Sequence, residues 1–490
     1  MNNYYSNFTQ KFNKIFYRGY RDGRRIQGKI DYSPSLYVKT EKPTEFKSLF
    51  GSYLEERTFE TIGEAKAFVK ENSEFLAIHG NTKYEYAFIA DKFRDEMDVK
   101  LEDLTIHSID IETKTEGPNG TTKFPDLKEA DQEILLITII DFKTKELITF
   151  GSQSVDTKRV KNYVRCENEE DLLRKFTHHV ITTDPDIITG WNVKYFDISY
   201  ICTRMNRILG NEFTQKLSPF SMVERKISML NDREQIEYDI VGRSVLDLLD
   251  LYKKFRFITR ESYKLDHIAE VELGKKKLEN PYETFKEFYQ KDFTLFTEYN
   301  QRDTELVDEL ESELGLIYLA VTSAYLSRIN FTDVYSPIKT WESYINSSLL
   351  KENTFVPIKK MSGDSGYSIE GGYVKEPVPG LYKWIVSFDF TSLYPKIIEA
   401  LNMSPECLIG MKPVVDVNSL LHGYKNPDAS YTMAANGAQF SKENLGIMTR
   451  LTAELFAKRK AAKDEMKVKK GNYNLIMEEL KRRGINTDDL

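Results

Sequence analysis

LTIHSIDIE, at residues 104–112, is the clearest indication of the fold in this 490-residue chain. Apolar side chains occupy most of its positions, a pattern typical of a strand that is covered on both faces. EILLITIIDF at 133–142 repeats the pattern, and ELITFG at 146–151 predicts a shorter strand. A further strand, DIITGWN at 186–192, lies among helical segments. We therefore expect an α/β domain with helices on both sides of a sheet.

Several segments between and after these strands have helical character. They are EEDLLRKFTHHV at 169–180, ISYICTRMNRIL at 198–209 and LLDLYKKF at 248–255. The run YNQRDTELVDELESELGLIYLAV at 299–321 predicts a single long helix.

The chain is too long for one hydrophobic core, so several domains are expected. Residues 1–105 predict a small β-rich domain, with a helix over TIGEAKAFVKEN at 61–72. Its short alternating segments, which predict strands, are SLYVKT at 35–40, FLAIHG at 75–80 and YAFIAD at 86–91. The α/β domain covers 106–337, and scattered Gly and Pro residues in 338–378 indicate a linker with short strands that returns to the first domain.

The last part of the chain begins another strand–turn–helix unit. WIVSFDF at 384–390 predicts a strand, and PKIIEAL at 395–401 predicts the helix after it. TRLTAELFAKRKAAKDEMKVKK at 449–470 predicts a charged helix.

Composition excludes some classes of protein. The formal net charge of −7 does not suggest nucleic-acid binding, although residues 11–29 and 450–483 are strongly basic and binding depends on such local patches. The three cysteines are widely spaced, which argues against a zinc site or a disulfide framework. The chain lacks the signature of a signal peptide and any apolar run long enough to span a bilayer, so no membrane contact and a cytoplasmic location are expected.

Acidic residues converge on the predicted α/β domain from three elements. Asp110 and Glu112 are two apart on one strand and therefore project from the same face. Asp197 follows WNVKYF where a helix is expected to begin, and Tyr299 and Asp303 share one helical face because they are four apart. Carboxylate oxygens suit hard divalent cations. The five residues could hold two ions about 3.5–4 Å apart, a spacing that supports phosphoryl chemistry.

Each of these pieces has an ordinary interpretation when taken alone. A D-x-E pair at a strand end is most often a solvated edge or a loop cap. Tyr299 with Asp303 is most often a pair on a helix surface. The order and context of the three pieces together favour catalysis. In that interpretation Asp110 bridges both ions, Glu112 and Asp303 complete one site, Asp197 holds the other ion, and Tyr299 orients the attacking water.

This constellation resembles the DEDD superfamily of 3′–5′ exonucleases, in the tyrosine-bearing variety attached to DNA polymerases. The motifs SIDIET, NVKYFD and YNQRD carry the resemblance across about residues 105–330. It implies a ribonuclease H-like fold, with Mg²⁺ (two ions per site) or alternatively Mn²⁺ as the cofactor. Lys275, in GKKKLENP, falls near the position of an active-site lysine in this superfamily.

A second acidic motif, SFDFTSLYP at 387–395, resembles the first palm motif of B-family DNA polymerases. The surrounding stretch from 370 to 410 is similar to the polymerases of T-even bacteriophages. The resemblance implies that Asp389 holds magnesium. It also implies that backbone amides near Leu393 contact the triphosphate of a dNTP, because exposed N–H groups at turns favour anions. Tyr394 would pack under the sugar.

The same resemblance matches Arg459 and Lys463 to residues of the fingers helix that grip the incoming triphosphate. Without it, a solvated basic helix face is the better interpretation. EGGYV, with Gly371 and Gly372, resembles the hinge between the exonuclease and polymerase portions. The implied division places a partial palm at 379–446 and the start of the fingers at 447–490. The whole is a multidomain α/β and α+β chain.

A second palm aspartate, normally in a D-T-D-S motif, does not occur after Asp389. One carboxylate anchor should not support two-metal nucleotidyl transfer. We therefore expect the N-terminal subunit of a split polymerase, and favour a natural split over a truncation. Its partners would be primer-template and single-stranded DNA, dNTP, and a second chain with the remaining palm, fingers and thumb. That second chain would carry any attachment to a sliding clamp.

Two alternatives come from other classes of function. One is a stand-alone 3′–5′ exonuclease that retains an inactive piece of palm. The other is a non-catalytic nucleic-acid-binding regulator that uses the basic N-terminal region. If the gene belongs to a phage, the cytoplasm of the infected bacterium is the expected location.

Overall fold

A computed structural model describes residues 3–95, 97, 99–116, 123–230, 233–359, 374–390, 392–412, 422 and 430–485. The chain forms two compact units. The first comprises residues 1–48 and 53–358, and the second comprises residues 49–52 and 359–490. The acidic set from Asp110 to Asp303 therefore lies in the first unit, and Asp389 lies in the second.

Two β-sheets occupy the N-terminal part of the first unit. Their strands are β1 (Asn3–Lys11), β2 (Lys14–Arg21), β3 (Arg24–Asp31), β4 (Ser35–Lys39), β5 (Phe46–Ser48), β6 (Tyr53–Thr58) and β7 (Ile78–His79). β1, β2 and β3 form an antiparallel meander, and β5, β6, β4 and β7 pair in that order. Helix α1 (Ile62–Asn72) confirms the predicted helix and begins after Thr61, whose hydroxyl accepts a hydrogen bond from the N–H of Glu64.

The segment YAFIAD was predicted as a strand, and that prediction was wrong. It lies within helix α2 (Tyr84–Lys92). Tyr84 and Phe88 are both buried and are four residues apart, so the apolar side chains follow the helical period. A short apolar run fits either period when only the sequence is considered.

A six-stranded sheet forms the centre of the α/β domain. Its strands are β8 (Ile106–Thr113), β9 (Ile134–Asp141), β10 (Leu147–Gly151), β11 (Tyr163–Arg165), β12 (Ile187–Gly190) and β15 (Ser244–Asp247). Between β12 and β15 in the sequence, β13 (Val223–Leu230) and β14 (Arg233–Ile240) form a separate hairpin. The strand order is β11-β10-β9-β8-β12-β15. β8, β9 and β10 pair antiparallel, whereas β12 is parallel to both β8 and β15. This mixed sheet confirms the expected ribonuclease H-like class.

Helices cover the faces of this sheet as predicted. The helices of this domain are α3 (Glu169–Thr183), α4 (Asp197–Leu209), α5 (Asn211–Thr214), α6 (Leu248–Phe255), α7 (Leu265–Leu273), α8 (Phe285–Lys291), α9 (Phe293–Leu314) and α10 (Leu316–Ser327). Of these, α3, α4, α6 and α9 pack against strands of the sheet. The single long helix predicted over 299–321 is instead two helices separated by Gly315, whose φ of 60° is left-handed. Glu311 supports the break, because its carboxylate accepts hydrogen bonds from the N–H of Ile317.

The prediction of a linker from residue 338 onward was wrong for its first part. Helix α11 (Pro337–Leu350) begins with the Ser336 hydroxyl as N-cap and proline in its first turn. This pair of residues is a standard helix start. The strand β16 (Thr354–Phe355) then pairs with β5 in the N-terminal sheet.

The second unit contains helix α12 (Leu393–Leu401), strands β17 (Leu408–Met411), β18 (Tyr431–Met433) and β19 (Ala438–Ser441), and helix α13 (Ile447–Arg482). The predicted strand at 384–390 is absent from the described residues, which have no regular structure there. A strand requires a neighbour to pair its backbone groups, and among the described strands none is hydrogen-bonded to this segment. Helices α12 and α13 confirm the predicted helices.

The three cysteines are buried and free. Among the described residues, no helix combines the length and apolar character needed to cross a membrane.

Candidate functional site

Strand β8 and helix α9 bring three carboxylates together. Asp110 and Glu112 are opposite Thr138 and Leu136 of β9, so both project from the same face of the sheet. Asp303 reaches this face from α9. One carboxylate oxygen from each of Asp110, Glu112 and Asp303 lies within 4.8 Å of the other two.

Asp197 lies beside this group without belonging to its 4.8 Å cluster. It is the first residue of α4 and is buried. Its Oδ1 accepts a hydrogen bond of 3.0 Å from the N–H of Ile111, the residue between Asp110 and Glu112. Asp197, the predicted fourth carboxylate, is therefore hydrogen-bonded to the backbone of β8, the strand that carries Asp110 and Glu112.

A lysine that the sequence left ambiguous reaches the cluster. The Nζ of Lys277 contacts the carboxylate of Asp303 and lies 3.5 Å from the hydroxyl of Tyr299. Lys275, the residue expected there, instead forms an ion pair with Glu309 at 3.2 Å. The expectation for Lys275 was wrong by two positions, because three consecutive lysines give no spacing that identifies which one points inward.

Tyr299 lies one helical turn before Asp303, as its spacing predicted. Burial and the charge of Asp303 raise the pKa of Tyr299 to about 12. The phenol is therefore neutral at physiological pH, and it can both donate and accept a hydrogen bond. This is the property needed to orient a water molecule.

Burial makes the charged forms of the four carboxyl groups unfavourable. Burial, together with the charge of Asp303, raises the pKa of Asp110 to about 7. Burial is also the main cause of the raised pKa values of Glu112, Asp197 and Asp303. Burial acts to lower the pKa of Lys277, but the combined effects of Asp303, Tyr299 and Asp110 raise it. Four crowded acids facing one ammonium form an environment that favours added positive charge.

An unpaired oxygen of Asp303 also indicates that the carboxylate cluster suits divalent cations. Oδ1 of Asp303 is buried and has no hydrogen-bond partner, although its other oxygen contacts Lys277. Buried polar atoms are rarely left unpaired, so this oxygen has the position and chemistry of a ligand atom. Oxygen donors alone are the set that Mg²⁺ and Mn²⁺ prefer.

Two buried polar residues near the site were not identified from the sequence. Asn300 donates a hydrogen bond of 2.5 Å from Nδ2 to Oδ2 of Asp110. Asp247 accepts hydrogen bonds from the N–H groups of Asn192 and Lys194, in the turn that leads to Asp197. Asn300 lies inside the motif YNQRD, which could have drawn attention to it. Nothing in the pattern around Asp247 distinguishes it from its neighbours.

A cavity of about 600 Å³ opens beside Glu112. Aromatic rings of Phe124, Phe196 and Phe285 contribute to its lining. Phe124 is 81% exposed, so the face of its ring is accessible. Exposed aromatic faces beside acidic groups can stack against nucleobases.

The residues predicted to bind nucleotide in the second unit are exposed. Asp389 lies in the irregular segment 374–390 and belongs to no cluster of potential metal ligands among the described residues. Leu393 begins α12, and Tyr394 follows it with its ring 80% exposed. Arg459 and Lys463 lie in the helix α13 and are exposed. Gly371 and Gly372 lie outside the described residues.

Known proteins place this chain in a family. Residues 77–268 match the profile of the exonuclease domain of DNA polymerase family B, and residues 339–480 match the profile of DNA polymerase family B itself. Together these segments cover more than half of the chain. The chain belongs to DNA polymerase family B, as its motifs indicated.

Individual relatives agree with this assignment. The chain is 29% identical to the DNA-directed DNA polymerase of Escherichia phage RB69, over 100% of this chain and 57% of that protein. It is also 29% identical to the enzyme of Enterobacteria phage T4, over 93% and 53% of the two chains. The chain is 28% identical to the DNA polymerase delta catalytic subunit of Dictyostelium discoideum, over 63% of this chain and 28% of that protein. The chain thus spans about half the length of its phage relatives.

Proposed function

We propose that the first unit is a 3′–5′ exonuclease that removes nucleotides from the primer end of DNA with two divalent cations. The convergence of Asp110, Glu112 and Asp303 within 4.8 Å carries the proposal. Asp197, bonded to the backbone of Ile111, supplies the fourth acid. The family's exonuclease profile covers the strand and turn that carry three of these acids.

Asp110, Glu112, Asp197 and Asp303 would hold the cations. Ions in such a site activate water and stabilise the leaving oxygen of a phosphodiester. Tyr299 would orient the water, since its neutral hydroxyl can accept one hydrogen bond and donate another. Lys277 would keep Asp303 ionised and in place. The product would be a nucleoside 5′-monophosphate.

The cavity beside Glu112 supports a frayed single strand as the substrate. Its aromatic lining offers stacking surfaces for unpaired bases. Glu112 itself lies in the lining, so a base held there brings its phosphate close to the carboxylates. Single-stranded DNA and mispaired primer ends are therefore the preferred substrates.

Digestion of a 5′-labelled single strand by the purified chain tests this proposal. We expect stepwise shortening from the 3′ end with Mg²⁺, release of 5′-monophosphates, and loss of both with Asp110→Ala. Glu146→Gln serves as a matched control, because Glu146 is exposed and makes no side-chain contact with the cluster. Digestion that persists in purified Asp110→Ala protein refutes the assignment.

We further propose that nucleotide addition needs a second chain that supplies the rest of the palm, the fingers and the thumb. Two observations support this arrangement. Asp389 has no clustered carboxylate among the described residues, and the segment around it exposes Trp384 and Phe388 at 97% and 90%. Exposed apolar side chains in such a group usually mark a surface that another polypeptide covers.

Primer extension tests this second proposal. The isolated chain should not extend a primer, whereas the reconstituted assembly should do so. Asp389→Asn should then abolish extension and leave exonuclease activity intact. Extension by the isolated chain would contradict the proposal, and extension by the assembly carrying Asp389→Asn would instead favour a stand-alone exonuclease.

A further inference from the structure

A row of buried polar side chains crosses the hydrophobic strands beneath the carboxylate cluster. Asp110 on β8 is opposite Thr138 on β9, and Thr138 is opposite Thr149 on β10. Asn300 of α9 packs against this row, and all three of Thr138, Thr149 and Asn300 are fully buried. Buried hydroxyl and amide groups are costly unless they are hydrogen-bonded, so their partners can be traced completely.

These side chains form one continuous chain of hydrogen bonds. At the outer end, Nε2 of Gln301 lies 3.1 Å from the main-chain oxygen of Lys161 and 2.9 Å from Oγ1 of Thr149. The hydroxyls of Thr149 and Thr138 are 2.9 Å apart. The Thr138 hydroxyl contacts Oδ1 of Asn300, whose Nδ2 lies 2.5 Å from Oδ2 of Asp110.

The directions of the bonds in this chain follow from the acceptors at its two ends. A main-chain oxygen can only accept, so Gln301 must turn its amino group toward Lys161 and therefore also toward Thr149. A hydroxyl has a single proton, and the one on Thr138 is donated to the oxygen of Asn300. At the inner end the carboxylate of Asp110 accepts, so Asn300 presents its amino group to Asp110 and its oxygen to Thr138. Thr149 then donates to Thr138.

We infer that this directional chain positions Asp110, and that Gln301, Thr149, Thr138 and Asn300 are positioning residues of the exonuclease site. The inference rests on the proposed function of that site. Aligned donors polarise one another, which strengthens the terminal bond to the carboxylate. The opposite amide orientation would place Oδ1 of Asn300 against an oxygen of Asp110 and repel it. The chain therefore selects one orientation of the acid proposed to contact both cations.

Thr138→Val is the most specific test because it keeps the side-chain shape and removes the hydroxyl that links Thr149 to Asn300. The probe is Mn²⁺ alone, titrated calorimetrically into the full chain without DNA. We expect the apparent Kd to rise about tenfold, the usual effect of losing an outer-sphere partner of a metal ligand. Thr138→Ser retains the hydroxyl and should restore binding.

Thr177→Val is the matched control. Thr177 is also buried, and its hydroxyl donates to a helix carbonyl far from the cluster. It should bind Mn²⁺ like the wild type even if its melting temperature falls. Should Thr138→Val fail to fold, Thr149→Val carries the same test one bond further from Asp110.

The outcomes separate this inference from the proposed function. If the wild type binds Mn²⁺ and digests DNA while Thr138→Val does both equally well, the inference is overturned and the exonuclease assignment stands. If Thr138→Ser is as impaired as Thr138→Val, the Thr138 hydroxyl does not position Asp110 through Asn300, and the inference is again overturned. A wild-type chain that neither binds Mn²⁺ nor digests DNA refutes the proposed function itself.

Discussion

Lys277 and Asp303 are in direct contact, although 26 residues separate them in the sequence. The lysine follows helix α7 and reaches the turn of α9 that holds Asp303. It thereby places an ammonium group at the edge of a cluster that is otherwise acidic. Tyr299 lies beside both, so these three side chains form the wall of the site opposite strand β8.

Replacing Lys277 by methionine should impair the exonuclease. Asp303 would lose its cationic partner and its fixed orientation, and breaking a buried ion pair is costly because one charge remains uncompensated. We expect the digestion rate to fall at least about tenfold, within the range measured when a metal ligand loses its partner. Lys275→Met is the control and should digest DNA at the wild-type rate. Equal loss in the two variants would show that the lysines act through general charge.

Removing one acid from the cluster should stabilise the metal-free protein. Glu112 lies among like charges, so Glu112→Gln relieves repulsion that the fold otherwise has to overcome. In excess chelator we expect its melting temperature to exceed that of the wild type by about 2–4 °C, equivalent to roughly 1 kcal/mol. Adding Mg²⁺ should stabilise the wild type more than Glu112→Gln. A lower melting temperature for the chelated variant would count against a repulsive cluster.

Asp247 should matter for catalysis without touching the site. Its two oxygens accept hydrogen bonds from Asn192 and Lys194 at 3.2 and 3.0 Å. They hold a turn in which Asn192 is left-handed, with φ of 67°. Asp247→Asn replaces one acceptor by a donor that faces an N–H, so the turn and Asp197 should shift. We expect at least about tenfold slower digestion, as for other outer-sphere changes. An unchanged rate would show that Asp247 does not position Asp197 for catalysis.

Glu311 gives the first unit a defined dependence of stability on pH. Burial raises the pKa of Glu311 from its ordinary 4.5 to about 7. The folded chain therefore binds this proton more tightly than the unfolded chain does, and stability falls as pH rises from 4.5 toward 7. Glu311→Gln should flatten that fall in thermal melts across this range. The exposed neighbour Glu313, changed to glutamine, should melt with the wild-type pH profile.

An unchanged profile for Glu311→Gln would mean that its carboxylate is solvated in the native protein. The break at Gly315 would then need a different explanation, since Glu311 is the residue that bonds to the start of α10.

Regular periodicity allowed much of the fold to be predicted. The strands at 104–112 and 133–142, the helix that follows NVKYFD, and the shared face of Asp110 and Glu112 all follow from spacings of two or of three to four residues. The catalytic roles of these residues stay predictions. What periodicity could not supply was the choice among equivalent neighbours, as Lys275 and Lys277 illustrate.

The failures in the fold have separate physical causes. YAFIAD is too short for its period to be unambiguous, so tertiary packing decided in favour of a helix. Gly315 breaks a helix that its flanking residues favour, because Glu311 and a left-handed glycine stabilise the break. The strand expected at 384–390 depends on a partner strand, which the pattern of its own residues cannot reveal.

Anomalous diffraction from crystals soaked in Mn²⁺ would show whether the four acids bind metal. We expect a peak within coordination distance of Asp110, Glu112 and Asp303, and a second peak between Asp110 and Asp197. Both peaks should disappear in Asp110→Ala crystals treated in the same way. Ordered carboxylates with no manganese among them, in crystals that bind the ion elsewhere, would contradict the account.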